Sequence, residues 1–161
     1  MKSLILNKKT IILLFITILW CCIIFWFSAQ PAGTSTEMSS SVSKTLLDLF
    51  DKLFKGNTPH FITGVVLNGD HYVRKSGHAI EYFILGILVL NLLRQFKIKR
   101  YGIWAILLST LYASSDEFHQ LFVPGRAAMI SDVILDTTAA AVGIIIVYLL
   151  FYKKGRLKGN T

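Results

Sequence analysis

Inside stretches that are otherwise apolar, the chain carries Lys75, His78 and Glu81, then Asp116, Glu117, His119 and Gln120, then Asp132 and Asp136. Arg126 lies between the last two groups. Ionisable side chains are costly away from water and mark functional positions by default. Lys75, His78, Glu81 and Tyr82 follow at i, i+3, i+6 and i+7, which is one stripe of a helix. Ser109, Tyr112, Asp116, His119, Gln120 and Val123 make a second stripe. Asp132, Asp136, Ala139, Ala140 and Gly143 make a third, whose small residues allow close helix approach.

Three chemistries suit this set. Carboxylate–His pairs serve general acid/base catalysis, and Asp116 and His119 at i, i+3 can orient one another. Two His with several carboxylates can hold a divalent metal, but His78-x-x-Glu81 and Asp116-x-x-His119 are not a specific ligand signature, so no metal site is assigned. Arg126 and Lys75 can grip a phosphate on a lipid-linked ligand, Arg in bidentate fashion. The bland alternative is an ion-pair network that fixes helix register. Against it stand two cations, Lys75 and Arg126, facing five carboxylates: Glu81, Asp116, Glu117, Asp132 and Asp136. A balanced network needs no such surplus, and crowded carboxylates disfavour one another's ionisation. No nucleophile elbow, P-loop or HExxH pattern is present, and the residues name no cofactor.

The elements that carry these residues are membrane helices. The chain has 161 residues, of which 53% are hydrophobic and 16% charged. Disordered chains are apolar-poor, and soluble domains carry nearer a quarter charged residues. The spans read as 10–27, 77–93, 101–123 and 131–152. The third is apolar only to Leu111, too short to cross about 30 Å unless helix continues to Val123, where Pro124-Gly125 supplies a stop. Segments 1–9, 94–100 and 153–161 hold 11 of the 17 basic residues and none of the nine acidic ones. The positive-inside rule then puts both termini and the 94–100 loop in the cytoplasm. The net charge of +8 is thereby a topology signal, and nucleic acid is excluded as a partner.

The first span reads as a retained anchor. Eighteen apolar residues are long for a signal-peptide core, and Phe27-Ser28-Ala29 makes a poor cleavage site. Cys21 and Cys22 are adjacent, point about 100° apart on a helix, and read as small buried hydrophobes.

Residues 28–74 form one long external loop. Ser39, Ser40 and Ser41 offer N-caps for an amphipathic helix of about three turns, with Val42, Leu46, Leu49, Phe50 and Leu53 on its apolar face and Gly56-Asn57 at its end. It is read as lying on the membrane surface or capping the bundle, with a lid over an external site as the sharper alternative. Asn68-Gly69-Asp70 is a turn, and His60 and His71 are solvated loop residues.

Phe27-Ser28-Ala29-Gln30, Lys75-Ser76-Gly77-His78-Ala79-Ile80-Glu81-Tyr82, and the run from Asp116-Glu117-Phe118-His119-Gln120 to Val123-Pro124-Gly125-Arg126, followed by Asp132 and Asp136, resemble the VanZ-like family over nearly the whole chain. The resemblance implies a bacterial integral membrane protein related to one associated with resistance to teicoplanin-type glycopeptides. It implies that Lys75, His78, Glu81, Asp116, Glu117, His119, Gln120, Arg126, Asp132 and Asp136 matter, without saying how, and that Gln30 closes the site from span one. Thr138-Ala139 stands where many relatives carry a Gly, which implies looser packing there.

The expected protein is therefore an all-α, four-span bundle of the bacterial plasma membrane, one domain over 1–161, with an outward carboxylate/His/Arg pocket. That pocket binds or acts on an amphiphilic or lipid-linked ligand. In an enzyme, His78, Glu81, Asp116, Glu117 and His119 do the chemistry, with His119 as acid or base and Asp116 orienting it. Gln30, Lys75, Gln120, Arg126, Asp132 and Asp136 then bind the ligand. The rival readings are a non-catalytic interaction protein and a proton-coupled transporter. Oligomeric state is left open.

Overall fold

A computed structural model of the chain describes residues 7–67 and 69–158, with the backbone alone described at 65, 67, 70, 71 and 151–158. Among the described residues all regular structure is helical. Six helices follow in order: α1 (Lys8–Ser28), α2 (Ala32–Leu53), α3 (His60–Leu67), α4 (Asp70–Gln95), α5 (Tyr101–Gln120) and α6 (Ile130–Lys158).

Three of them are long and apolar enough to cross a membrane: α1, α4 from Tyr72 to Gln95, and α6 from Ile130 to Leu150. α1 opens on Asn7, whose side-chain oxygen accepts from the Thr10 N–H at 2.8 Å. Ile11, Phe15, Ile18 and Leu19 along it are exposed, a face suited to lipid. The segment expected as a third span is the helix α5, which stops at Gln120, three residues early. It has the length to cross, about 30 Å at ~1.5 Å per residue. Asp116, Glu117, His119 and Gln120 dilute its apolar run, so it does not join the other three on composition.

The loop expected over 28–74 is mostly helical. α2 begins at Ala32 after Pro31, two turns before the serines proposed as caps. Ser39 and Ser41 instead return their hydroxyls to the carbonyls four residues back, at 3.0 Å each. Packing of Ser35, Ser39 and Ser43 against the bundle overrides the local capping option. Lys55 and Gly56, both at positive φ, close α2, and the Gly56 N–H reaches the Asp51 carbonyl at 2.7 Å. α3 was not expected; exposed His60 starts it. In the turn expected at 68–70, Asn68 and the side chains of Asp70 and His71 lie outside the described residues, as do the side chains of the C-terminal basic cluster and the whole of Lys2.

α4 is the hub, packed against α1, α2, α5 and α6. It begins two turns before the expected boundary, which makes Arg74 and Lys75 helical residues. Its tightest partner is α6. A Cβ built on Gly86 would fall 2.5 Å from the Ala140 carbonyl oxygen, and one on Gly143 would fall 2.6 Å from the Phe83 carbonyl oxygen. The close approach is at Ala140; Thr138 and Ala139, where looser packing was expected, line a shallow groove with Ala79, Ile80 and Phe83 of α4. Two apolar clusters stack along the bundle: Ile24, Tyr82, Leu85, Ala113 and Ala140, then Leu90, Leu93, Ala105 and Ile144. The second leads to the basic end, where Lys97 and Arg100 take positive φ in the α4–α5 turn and Arg94 lies over Tyr101, 5.9 Å from the ring centroid.

Candidate functional site

At the other end of the bundle, the ends of α1, α4, α5 and α6 converge. The N–H of Ala32 donates to the Pro124 carbonyl at 3.2 Å, which docks the α1–α2 junction on the loop after α5. Gly125 makes that loop possible: its φ is +74°, and a Cβ there would sit 3.0 Å from the Ala32 methyl. Trp20 donates its indole N–H to the Glu81 carbonyl at 2.9 Å, and Tyr112 donates its hydroxyl to the Cys21 carbonyl at 2.7 Å. These bonds fasten α1 to α4 and α5 beside the polar cluster.

The polar side chains divide into three groups. In the first, Lys75 donates to Asp132 at 2.7 Å, an ion pair between α4 and α6. In the second, each member serves a helix end or a helix contact. Glu117 accepts from the Met129 N–H at 2.8 Å and satisfies a donor at the start of α6. The His119 ring lies 4.5 Å from the Phe25 ring, against α1. The Gln30 side chain donates to the Trp26 carbonyl at 3.0 Å, while the Gln30 carbonyl accepts from Arg126 Nε at 3.2 Å. Gln30 thus meets Arg126 through its backbone, while its side chain stays on α1 and lines neither of the cavities at this end. The third group is deep. Asp116 and Asp136 are buried, Asp136 to 1% exposure, and no oxygen of either carboxylate completes a hydrogen bond among the described residues. Ser28 and Gln120 face Asp116 without completing one. The fully buried Tyr82 hydroxyl and the Ser109 hydroxyl are likewise without a partner.

Two cavities adjoin at this end. One, about 220 Å³, lies between α2 and α4; Ser35, Met38, Ser39 and Val42 form one wall, and Val73, Arg74, His78 and Glu81 form the other. The second, about 200 Å³, is lined by Lys75, Gln120, Met129 and Asp132. Arg74, His78 and Arg126 line both. His78 Nδ1 is 3.8 Å from Glu81 Oε2, too far for a hydrogen bond. Neither cavity is lined by Asp116, Glu117, His119 or Asp136.

The family model for VanZ/LLP1 matches residues 13–151. The chain belongs to the VanZ/LLP1 family. No curated protein and no solved structure matches it.

This VanZ/LLP1 chain therefore brings together His78, Glu81, Lys75, Gln120, Arg126 and Asp132 on cavity walls. It separates from them Asp116, Glu117, His119 and Asp136. The supposed Asp116–His119 couple makes no hydrogen bond, and the two side chains serve different neighbours. Among the described residues no three His, Cys, Asp or Glu side chains gather as a metal-ligand cluster. The cation that sequence reasoning passed over is Arg74. It stands four residues before His78, on the His78–Glu81 stripe, while Lys75 one position later points about 100° away toward α6. The spacing i, i+4, i+7 from Arg74 through His78 to Glu81 was the available signal. Arg126 lies in the 121–129 loop. Burial, then the charge of Arg74, draws it below the ordinary guanidinium value, while Asp116, Glu117 and Glu81 pull the other way. A guanidinium starts so high that it stays charged.

Proposed function

We propose that this VanZ/LLP1 protein is a four-span protein of the bacterial plasma membrane. In this reading α5 spans the membrane beside α1, α4 and α6, and both termini are cytoplasmic. The polar end then faces outward, and α2 is an external helix covering a pocket for an amphiphilic or lipid-linked ligand. The cellular consequence is lowered susceptibility to lipid-anchored glycopeptide antibiotics. Exposed Ile103, Trp104, Leu107, Leu108 and Leu111 along α5 support lipid on that helix. The exposed apolar edge of α2, Val42, Leu46, Leu49 and Leu53, supports contact with the bilayer interface.

The observation that carries the reading is the pair of cavities sharing one cationic layer. One chamber is walled largely by apolar and small side chains, the other by polar ones. That gradient suits an amphiphile. Each chamber is smaller than the roughly 300–1,000 Å³ of sites that enclose drug-sized molecules. The pocket therefore suits the head of a lipid better than a whole glycopeptide, so the protection would act through the membrane's own lipids.

The test is expression in a susceptible bacterium, with susceptibility read for a lipid-anchored glycopeptide and for one lacking the acyl chain. The reading expects protection against the first alone. It expects His78→Gln and Met38→Trp to abolish protection while the protein stays abundant. Equal protection against both drugs, or none from abundant wild-type protein, refutes it.

A second reading, a non-catalytic interaction protein with a structural polar network, is favoured by the Lys75–Asp132 pair and the Glu117 cap. It expects lower abundance, rather than loss of protection at normal abundance, when those groups are neutralised.

A further inference from the structure

We infer that the pocket's ligand carries a phosphate, held between Arg74 on α4 and Arg126 on the loop after α5, with its apolar chain leaving along α2. The inference rests on the amphiphile reading above and names the head group that reading leaves open.

The charge inventory of the walls is the first argument. The cavity walls carry Arg74, Lys75 and Arg126 against Glu81 and Asp132. The 2.7 Å contact takes up Lys75 and Asp132 together. What remains is two guanidinium groups facing one carboxylate. Neither guanidinium has a carboxylate within ion-pair distance among the described residues, and Arg126 Nε has only the Gln30 carbonyl. Both line both chambers, so they share one space. Two like charges in a partly buried space disfavour one another, and one carboxylate leaves a net positive charge that an anion between them would offset. The local sign is thus the reverse of the carboxylate surplus counted along the sequence.

Geometry and chemistry select the anion. Guanidinium groups present planar donor forks that match phosphate oxygens bidentately. Arg74 and Arg126 come from different elements, so a tetrahedral group with several acceptor oxygens can bridge them. His78, on the same stripe as Arg74, adds a ring donor. A chamber of about 220 Å³ falls below the roughly 300–1,000 Å³ of sites that enclose drug-sized molecules, room for a phosphate head but not for a whole lipid. The chain must leave the chamber. Met38 and Val42 of α2 and Val73 of α4 form an apolar wall beside the arginines, and Val42 is itself half exposed.

The experiment uses the full chain in a neutral detergent. Three probes are titrated: dioctanoyl phosphatidic acid, dioctanoylglycerol with the same chains and no phosphate, and inorganic phosphate. Binding is read by calorimetry and by the shift in thermal unfolding. Wild type binds phosphatidic acid saturably and dioctanoylglycerol roughly ten- to a hundredfold more weakly, the scale of charge-assisted hydrogen bonds. Inorganic phosphate binds more weakly than the lipid and competes with it. Arg74→Gln and Arg126→Gln each lose about tenfold or more in phosphatidic acid affinity, and Arg94→Gln at the far end of α4 does not. Arg74→Lys keeps the charge and the fold but loses the fork, so it loses part of the affinity. If both amphiphiles bind alike and the arginine variants change nothing, the phosphate is overturned while the amphiphile reading stands. If inorganic phosphate binds as well as the lipid, the site is one for a free anion and the lipid assignment falls. If no probe binds, both readings fall.

Discussion

Gly86→Ala tests the contact that sets the whole site. The added methyl would fall 2.5 Å from the Ala140 carbonyl oxygen and 2.9 Å from Ala140 Cα. Ordinary contact needs about 3.5 Å, so the shortfall is about 1 Å. Backbone cannot swing aside as a side chain would, so α4 and α6 must separate. Overpacking of this kind costs about 1–3 kcal/mol. Alanine's better helix propensity offsets up to about 1 kcal/mol of it. Gly102→Ala, with nothing within 4 Å of its Cβ, carries that gain without the clash and serves as the reference. Gly143→Ala meets the Phe83 carbonyl oxygen at 2.6 Å, three residues along the same interface. Once the first substitution has parted the helices, the second should cost less, with a coupling of about 0.5–3 kcal/mol. The assay is reversible unfolding in mixed micelles of the four proteins of the cycle, with Gly102→Ala alongside. Gly86→Ala as stable as Gly102→Ala, or strictly additive glycine substitutions, would refute the close α4–α6 approach.

Four further outcomes follow from individual contacts. Lys75→Asp should lower abundance and Asp132→Lys should do the same, while the double exchange recovers at least half of the loss; the pair is about a quarter exposed on each side, so its coupling should be about 1 kcal/mol, read by a double-mutant cycle. Tyr112→Phe deletes the hydrogen bond to the Cys21 carbonyl and should cost about 0.6 kcal/mol in the same unfolding assay. Glu117→Ala leaves the Met129 N–H without its acceptor and should cost about 1 kcal/mol, with Glu117→Gln costing less; a neutral Glu117→Ala would remove the capping role. Asp136→Asn replaces a buried carboxylate that has no donor by a neutral isostere and should keep or raise stability, while Asp136→Ala opens a void and lowers it.

The helical class, the membrane character and the convergence of polar residues at one end were legible because each rests on long-range regularities of pattern. An apolar run of eighteen residues admits few other solutions, and stripes at helical spacing keep their meaning wherever the helix packs. Boundaries were less legible. α4 starts at Asp70 because nothing in Asp70–Ser76 breaks a helix, although hydropathy alone begins the span at Gly77. α2 starts at Ala32 because its buried face is serine, which reads as loop until a partner helix is known. Nothing in the sequence singles out Gly86, since only the facing Ala140 carbonyl shows why a side chain is refused there.

Charge was the least legible property, for a physical reason. Counting along the chain treats every ionisable residue near one end as a member of one pool, and that pool is rich in carboxylates. Folding partitions the pool by direction. Adjacent positions on a helix point about 100° apart, so Lys75 reaches Asp132 while Arg74 alone of the two also lines the chamber under α2. Lys75 goes to Asp132, Glu117 goes to the α6 N-terminus, and Asp116 and Asp136 are buried. The Lys75 contact neutralises Asp132 on the wall, and the other placements leave Glu117, Asp116 and Asp136 off both linings. Only Arg74, Arg126, His78 and Glu81 remain to meet a ligand in the chamber under α2. An end of the molecule that is acidic by composition therefore carries a pocket that is cationic by geometry.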